Sequence, residues 1–498
     1  MPGDGFQPLL LLLLLLSMFG PTHSCLKDPA LAYKFTGIVC RLTYDAAAVL
    51  NEKTTKVIEA AFQHARYPSM QGEKSLLVVG RVLYGLDNLE IHNLSIGRSA
   101  FELRPGEGIG LEISNVSAVF SGTIKYGYGS WLVNVQQSLD FEIETQIDLG
   151  INPKLYCGKS RVAADTSDCY LNFNKFRLYL QGDKEPNWLK KLFTNFITFT
   201  VKLVVKGQIC KEINKVADIL ADFVQDTAAA FVTDGGIRVD IDINTGPIIT
   251  SSYIESYHKG LTDYNNTLSV INESVFHPDQ LTEHRMLYFW LSDDVFKPLI
   301  AAAHQDGRLQ LSISSEELTK LFQMSLSSVV PPQIEKCLME RGSTELRVWS
   351  SSVPFLSTFA TGTRVWAQVS AELYCESQTT PTLSFQTNVS VEVTVSYVDK
   401  KLLLHGKSLE ILVLRAEPPP LNQLAQREFI SEAVEKIGIP KVMSVLGTEL
   451  TRLLDNQGTN LFDIFNPEVL HSDGYVVIQM DFGFPHHLLV DFLKKTLQ

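Results

Sequence analysis

The feature that most constrains the fold is a stretch in which apolar and polar side chains alternate at almost every position. This stretch, Leu139–Ile151, reads LDFEIETQIDLGI. A period of two gives a β-strand one apolar and one solvated face, which is typical of an antiparallel sheet. At about 3.3 Å per residue the strand would be roughly 40 Å long, well beyond an ordinary strand. Strands of this length twist and curl, so the stretch predicts a barrel-like sheet that wraps other elements.

The order of predicted elements occurs twice along the chain. Alternation like that of the first stretch runs from Leu76 to Ile96 and from Ile109 to Tyr126. In chain order the prediction is a strand Phe35–Leu42, a helix Asp45–Ala65, this β run, helices Trp188–Lys206 and Ile209–Phe231, a strand Leu287–Leu291, a helix Val295–His304, a second β run Leu309–Leu414, and helices Asn422–Ile437 and Pro440–Asn456. We therefore predict an α+β protein of two domains with one architecture, in which each highly twisted antiparallel sheet wraps its long helices.

The best candidate for the junction between the domains is a polar, proline-containing segment at 263–285. It lies between two apolar, element-rich regions and contains two N-x-S/T sequences. Exposed polar segments of this kind are typical of domain boundaries. We therefore expect an N-terminal domain at 25–262, a linker at 263–285 and a C-terminal domain at 286–484.

The chain begins with a targeting segment. Leu9–Leu16 are eight consecutive leucines, and Gly20, Pro21 and small residues follow them up to Ser24. An apolar run of this length is too short to span a membrane and is typical of the core of a secretory signal peptide. We predict that residues 1–24 are a signal peptide and that the mature protein is secreted.

The opposite end, 485–498, is predicted to be a short amphipathic helix. Pro485 suits a first helical turn, because its missing N–H would be unpaired there anyway. One face of this helix carries an apolar stripe formed by Leu488, Leu489, Phe492 and Leu493. Two interpretations remain open from the residues alone. The stripe packs on the parent domain, or it faces lipid or the mouth of a pocket.

Composition narrows the partners and the covalent chemistry. The net charge is -12 with no basic run, which argues against a nucleic-acid partner. The longest later apolar run, Leu192–Val205, is too short to cross a bilayer, so no transmembrane segment is expected. Seven cysteines allow at most three disulfides and leave at least one thiol. Secretion would make five asparagines plausible glycan acceptors, namely Asn93, Asn115, Asn265, Asn272 and Asn388.

No familiar catalytic motif is present. The sequence has no G-x-S-x-G nucleophile elbow, H-E-x-x-H helix, P-loop or G-x-G-x-x-G. Most carboxylates alternate with apolar residues on predicted strands, where a solvated face is their ordinary place. We therefore expect no enzyme, no metal and no cofactor. Curved apolar sheets can instead leave a cavity for apolar ligands, which favours lipid binding.

Several long runs carry a resemblance to a known family. The runs include GEKSLLVVGRVLYGL, DCYLNF, EPNWLKKLFTNFITFTVKLVVKGQICKEIN and QMDFGFPHHLLVDFL. They resemble the lipid-transfer and lipopolysaccharide-binding family that includes bactericidal/permeability-increasing protein, and the resemblance covers nearly all of the mature chain. It implies an elongated, boomerang-like molecule with a barrel at each end and a central sheet between them. It also implies a tunnel for neutral lipids with phospholipids at two mouths.

The resemblance also implies roles for particular residues. Polar points of the tunnel would be Cys40, Gln225, Ser256 and His258. A disulfide would join Cys169 to Cys210, which leaves Cys25, Cys40 and Cys157 unpaired and the state of Cys337 and Cys375 open. The terminal helix would be a lid. Two positions depart from the family pattern: Thr227 stands where an arginine is expected, and Ala164 replaces a threonine.

The function implied is exchange of cholesteryl esters and triglycerides, and of phospholipids, between high-, low- and very-low-density lipoproteins. No covalent chemistry would take part, and the only bound groups would be the lipids themselves. One alternative is a secreted binder of lipid A or lipopolysaccharide on the same fold, against which the acidic charge argues. A second alternative is a secreted lipase or esterase, against which the missing nucleophile elbow argues.

Overall fold

The computed structural model describes most of the chain. The described residues are 25–49, 51, 55, 59, 67–76, 80–130, 133–181, 187–231, 233–276, 284–325, 330–339, 344–375, 380–398, 401–417, 423–456 and 463–483. The predicted signal peptide, most of the predicted helix at 45–65 and the predicted terminal helix at 485–498 lie outside this set.

Most strands in the first part of the chain form the N-terminal sheet. A short helix α1 (Pro29–Lys34) precedes it, and residues 44–49 are helical. The strands are β1 Ile38–Thr43, β2 Met70–Leu76, β3 Gly80–Ser95, β4 Arg98–Arg104, β5 Gly108–Ser130, β6 Val133–Ile151, β7 Lys154–Gly158, β8 Arg161–Asp165 and β9 Cys169–Leu180. The described N-terminal sheet has the order β2-β3-β5-β6-β9, and β4 pairs with the first part of β5. Strand β6 contains the predicted stretch and is longer, at 19 residues.

The alternation in β6 separates a dry face from a wet one. Phe141, Ile143 and Ile147 are at most 1% exposed, whereas Asp140 and Glu144 are exposed. Thr145 lies on the dry face and satisfies its hydroxyl by donating to the Lys175 carbonyl at 2.7 Å. The sheet therefore has the amphipathic character that the sequence predicts.

The helix on the dry face, α2 (Asn187–Phe231), is continuous over 45 residues. The prediction of two helices that end and restart around Gly207 was wrong. The helix passes through this glycine, which has open space on its Cβ side and costs an exposed helix only about 1 kcal/mol. Ile197, Val201 and Val205 of α2 are fully buried in one hydrophobic cluster with the sheet.

A set of short strands follows α2. They are β10 Thr233–Asp234, β11 Ile237–Asp240, β12 Ile248–Ile249, β13 Tyr253–His258, β14 Leu261–Tyr264 and β15 Thr267–Leu268. The first residues of the proposed linker thus belong to the β14–β15 hairpin. Its two turn residues, Asn265 and Asn266, have φ of 50° and 60°. Two consecutive positive φ values are typical of the type I′ turn, which suits a two-residue hairpin loop.

The second half of the chain repeats the plan. Its strands are β16 Leu287–Ser292, β17 Gln310–Ser314, β18 Glu345–Ser350, β19 Phe355–Phe359, β20 Gly362–Tyr374, β21 Leu383–Val398, β22 Lys401–Glu417, β23 Asp463–Ser472 and β24 Tyr475–Gly483. Its helices are α3 Asp293–Gln305, α4 Ser315–Ser325, α5 Pro332–Met339, α6 Gln423–Ala433 and α7 Ile439–Asn456. The described C-terminal sheet has the order β17-β18-β20-β21-β22, and β19 pairs with β20.

The two predicted C-terminal helices are one helical segment. A π-helical turn, Val434–Gly438, joins α6 to α7 directly before Pro440. Proline has no N–H for the ordinary helical bond, and a π turn lets the chain pass that gap without leaving the helix. Phe429 and Ile430 of α6 are buried against Leu373 of the sheet.

A six-stranded central sheet unites the two halves. Its described order is β12-β13-β1-β16-β24-β23, and all neighbours are antiparallel. Within this sheet the two halves meet at the β1–β16 pair, in which Cys40 lies opposite Phe289. The fold class is thus the predicted one, α+β with two domains of antiparallel sheets.

The cysteines form three disulfides. Cys169 pairs with Cys210 as the resemblance implies, and Cys337 pairs with Cys375. The expectation that Cys25 and Cys157 are unpaired was wrong, because they form a third disulfide across 132 positions of sequence. That bond fastens Cys25, four residues before α1, to β7. Cys40 is left as the free thiol.

Candidate functional site

The central sheet has an unusual distribution of polar and apolar side chains. One face is buried and mostly apolar, with Val39, Tyr288 and Trp290 in one hydrophobic cluster, and it also buries five polar side chains, namely Arg41, Thr43, Glu255, Ser292 and Gln479. The opposite face is apolar at most positions and only partly buried; its side chains in β1, β16 and β24 are Ile38, Cys40, Leu42, Leu287, Phe289, Leu291, Ile478 and Met480. We call this second surface the open apolar face. An ordinary half-solvated sheet would have polar side chains on its more accessible face.

The buried face is held by an ion pair. Arg41 Nε donates to Glu255 Oε2 at 2.8 Å, and the two side chains are 4% and 5% exposed. The guanidinium lies over the ring of Tyr253, with Cζ 3.8 Å from its centroid, and 5.3 Å from that of Trp290. A buried charge is tolerated when it is paired in this way and stacked on aromatic faces. The pair fixes β1, β13 and β16 side by side, and so sets the register of the open apolar face behind it.

Three of the four predicted tunnel residues meet on the open apolar face. Cys40 lies opposite Ser256 in the β1–β13 pair, and His258 follows Ser256 on the same face. Ser256 Oγ is 2.8 Å from His258 Nε2, and His258 Nδ1 is 2.7 Å from the Ile241 carbonyl oxygen. Because a carbonyl only accepts, Nδ1 carries the proton and Ser256 donates to Nε2. The three side chains therefore form one small polar row in an apolar surface.

Burial keeps this row neutral. It raises the pKa of the Cys40 thiol to about 12, and the Glu255 carboxylate behind the sheet adds to the shift. It also lowers the pKa of His258, against the opposing effects of the Ile241 carbonyl and Asp242. The Ser256 hydroxyl and the His258 Nδ1–H already donate within the fold, so the neutral Cys40 thiol is the donor of the row that remains for a carbonyl or ester oxygen. The three neutral groups place no charge beside an apolar chain, and a thiol with so high a pKa is a poor nucleophile.

The remaining predicted positions lie elsewhere. Gln225 and Thr227 belong to α2, in the part whose side chains are outside the described set. Ala164 lies in β8, beside a groove of about 540 Å³ that is also lined by Tyr156, Thr166 and Asn214. The structure thus brings Cys40, Ser256 and His258 together, and does not place Ala164 with them.

Sequence reasoning missed the apolar residues of the second half that complete this surface. Phe289 lies opposite Cys40 on one side and opposite Ile478 of β24 on the other. Leu287 and Met480 form the next row with Leu42. The signal was available, because LYFWLS in β16 contains only one polar residue, which is typical of a strand covered on both faces.

An ion network fixes the point where the chain leaves the central sheet. Asp481 accepts from Arg285 Nη1 at 3.0 Å and from the Met286 amide at 3.1 Å, and Arg285 also bonds Glu468 at 2.9 Å. The hydrogen bonds that Glu468 accepts from Gln479 and from Arg285 lower the pKa of its carboxyl group. Asp481 lies two residues before Gly483, where the described part of the chain ends.

Across the described ranges, no group of three or more His, Cys, Asp or Glu side chains is arranged to hold a metal ion. None of the helices in the described part of the chain is both long and apolar enough to cross a membrane.

Comparison with known proteins gives consistent matches over the whole chain. The model of the LBP / BPI / CETP family, N-terminal domain, matches residues 48–223, and that of the C-terminal domain matches 233–413. Cholesteryl ester transfer protein of Gallus gallus is 41% identical over 493 residues, 97% of each chain. The Homo sapiens protein of that name is 42% identical, over 97% of this chain and 98% of its own. Lipopolysaccharide-binding protein of Homo sapiens is 25% identical over 75% of this chain and 72% of its own.

Proposed function

Since the chain belongs to the LBP / BPI / CETP family and is a lipid transfer protein of that family, we propose that it exchanges neutral lipids between lipoproteins. The lipids would be cholesteryl esters and triglycerides, together with phospholipids. The particles would be high-, low- and very-low-density lipoproteins, which the protein meets after secretion with loss of residues 1–24. The proposed domains are 25–262 and 286–484, with a linker at 263–285.

The observation that carries this proposal is the open apolar face of the central sheet. Contiguous apolar surface left accessible in a folded protein marks a site for a ligand or partner. Cys40 and His258 lie deep enough for burial to shift both pKa values, yet each keeps accessible surface. These features support a tunnel in which acyl chains cover the open apolar face and the Cys40–Ser256–His258 row meets an ester oxygen.

Transfer along such a tunnel needs no covalent chemistry. Moving one buried CH₂ into water costs about 0.8 kcal/mol, so a lipid with long acyl chains leaves a particle through water very slowly. An apolar path lowers that barrier without altering the equilibrium, and net flow follows the lipid gradients. The proposal therefore includes neither a catalytic residue nor a cofactor.

The terminal helix is proposed as the lid of the tunnel. Its stripe of Leu488, Leu489, Phe492 and Leu493 would cover the mouth, and Gln225 would add a polar point inside. Support comes from the position of Asp481, whose bonds to Arg285 and Met286 fix the origin of the segment at the edge of the open apolar face.

The test compares the full mature protein with a form that ends at Phe484. Labelled cholesteryl ester and labelled phospholipid are followed separately from high- to low-density lipoproteins. We expect ester transfer to fall at least tenfold while phospholipid transfer is kept. Phe492→Ser should reproduce the loss, and Asp491→Asn on the polar side of the helix should not.

Other outcomes contradict parts of the proposal. Equal ester transfer by both forms would mean that the helix only packs on the domain. Release of free fatty acid would indicate a lipase. Tight binding of lipid A without ester transfer would assign the chain to the lipopolysaccharide-binding branch of the family.

A further inference from the structure

The outer face of the C-terminal sheet contains a shallow groove with an acceptor sequence for a glycan inside it. The groove has a volume of about 370 Å³, at the small end of ligand pockets. Its lining includes Trp366, Gln368, Asn388, Glu410 and Leu412. Asn388-Val389-Ser390 is one of the five N-x-S/T sequences of the chain. An asparagine that can be modified therefore lies within the groove and not at a loop tip.

Strand register places the side chains of the groove in two rows on one face. Trp366, Ser390 and Glu410 form one row across β20, β21 and β22. Gln368, Asn388 and Leu412 form the next. Because directly paired residues of an antiparallel sheet share a face, Asn388 has an amide on one side, a leucine on the other and the indole diagonally beside it.

The groove leaves large apolar side chains exposed at its rim. Trp366 is 37% exposed and Leu412 is 50% exposed, and the ring of Phe355 lies 5.5 Å from that of Trp366. Gln368 Nε2 is 3.4 Å from Asn388 Oδ1 and so engages the carbonyl side of that amide. The other side, Nδ2, is the atom to which an N-linked sugar is attached.

We propose that Asn388 carries an N-linked glycan whose first N-acetylglucosamine packs in this groove. A sugar ring has an apolar C–H face that suits the indole of Trp366 and the side chain of Leu412. Its hydroxyl and acetamide groups suit Glu410 and Gln368. A covalently attached, solubilising sugar would thus cover apolar surface that the sheet leaves open.

The donor for the attachment step is a lipid-linked oligosaccharide of the secretory route. Asn388 Nδ2 forms a bond to C1 of the first sugar, and the bond from C1 to the pyrophosphate of a lipid-linked oligosaccharide breaks. The Nδ2 proton leaves with that pyrophosphate. Ser390 is only 7% exposed in the folded sheet, so transfer must precede formation of the β20–β21–β22 surface.

The inference rests on the secretion proposed above, and its test separates the two. The full chain is produced in glycosylating cells, and each sequence is examined by glycopeptide mass spectrometry. A bare Asn388 beside occupied Asn93, Asn115 or Asn265 overturns this inference alone. Absence of glycan at every acceptor overturns secretion as well. If Asn388 carries a glycan, the packing of that glycan is measured next.

Packing is measured by the rate at which an amidase releases each glycan from the native protein. Asn265, at an exposed hairpin turn, is the internal reference. We expect release from Asn388 to be at least tenfold slower than from Asn265, and Trp366→Ala or the milder Leu412→Ser to remove most of that difference. Ser390→Ala, which abolishes the acceptor, should increase binding of an apolar dye, and Ser390→Thr, which retains it, should not. Equal release rates in the parent protein, or no effect of either groove variant, would overturn the proposal.

Discussion

In both the N-terminal and the central sheet the side chains alternate between two faces, but the two sheets differ in which side chains are buried. In β6 of the N-terminal sheet the apolar side chains Phe141, Ile143 and Ile147 are dry, and the carboxylates between them are wet. In β1 of the central sheet the buried face contains Arg41 as well as Val39, and the apolar residues Ile38 and Leu42 on the other face are only partly buried. The N-terminal sheet encloses its own helix α2, whereas the central sheet has an apolar surface that its own chain, as described, does not fully cover.

This difference shows what an alternation of apolar and polar residues along a strand can and cannot predict. It identifies which residues share a face, because side chains point alternately up and down along any strand. It does not identify which face is wet, because that depends on what packs against each side. In the central sheet, α1 and residues 275–276 pack against the face that contains Arg41. The apolar face is consequently the one that the described chain covers only in part.

The largest effect is expected from breaking the buried ion pair of the central sheet. Glu255→Leu leaves the Arg41 guanidinium buried without its partner. Removing one member of such a pair costs about 3–5 kcal/mol of the free energy of unfolding. Denaturant titration followed by tryptophan fluorescence measures the loss, since Trp290 lies over the guanidinium.

The double variant Arg41→Met with Glu255→Leu is the matched control for that loss. Replacing both charges by apolar groups of similar volume is often close to neutral. We therefore expect most of the lost stability to return. A double variant as unstable as the single one would show that the buried face is held by something other than this pair.

A smaller effect separates the two sheets through a matched pair of phenylalanines. Phe120 is fully buried in the N-terminal sheet, so Phe120→Ala should cost about 3–5 kcal/mol. Phe289, on the open apolar face, is only partly buried, so Phe289→Ala should cost roughly 2 kcal/mol less. The lipid content of the purified protein should show the reverse order, with the greater loss for Phe289→Ala. Equal loss of stability in both variants would mean that the open apolar face is an ordinary core.

The sequence predicted much of the fold and less of the site. The alternation of β6 could be predicted because one of its faces is mostly apolar and the other mostly polar over the stretch 139–151. The pairing of β1 with β16 could not be predicted from the sequence. Cys40 and Phe289, which lie opposite each other, are about 250 positions apart, and such distant pairs leave no local sequence pattern. The Cys25–Cys157 disulfide was missed for the same reason, since spacing alone does not fix connectivity.

The polar row of the open apolar face should make stability depend on pH. His258 has a pKa below its ordinary 6.5 in the folded protein. Between the folded and unfolded pKa values the unfolded chain binds more protons, so stability is lost as pH falls below about 6.5 and is regained as pH rises. The slope from one group is at most about 1.4 kcal/mol per pH unit. His258→Gln, which can still donate to Ile241, should flatten the dependence of the melting temperature on pH, and His405→Gln on the exposed face of β22 should not. A profile unchanged by His258→Gln would show that the row does not govern the acid response.

The smallest effect tests the wet face of the N-terminal sheet with the same chemistry as the largest. Arg177 Nη1 lies 4.0 Å from Glu144 Oε2, and the two side chains are 70% and 48% exposed. Water screens such a pair, which contributes roughly 0–1 kcal/mol, so Glu144→Gln should change the free energy of unfolding by less than 1 kcal/mol. Raising the salt concentration should reduce even this change, because exposed charges are screened by ions and buried ones much less. The Arg41–Glu255 pair should be nearly indifferent to the same salt. A large, salt-resistant loss in Glu144→Gln would mean that the outer face of β6 is covered, and the contrast between the two sheets would no longer hold.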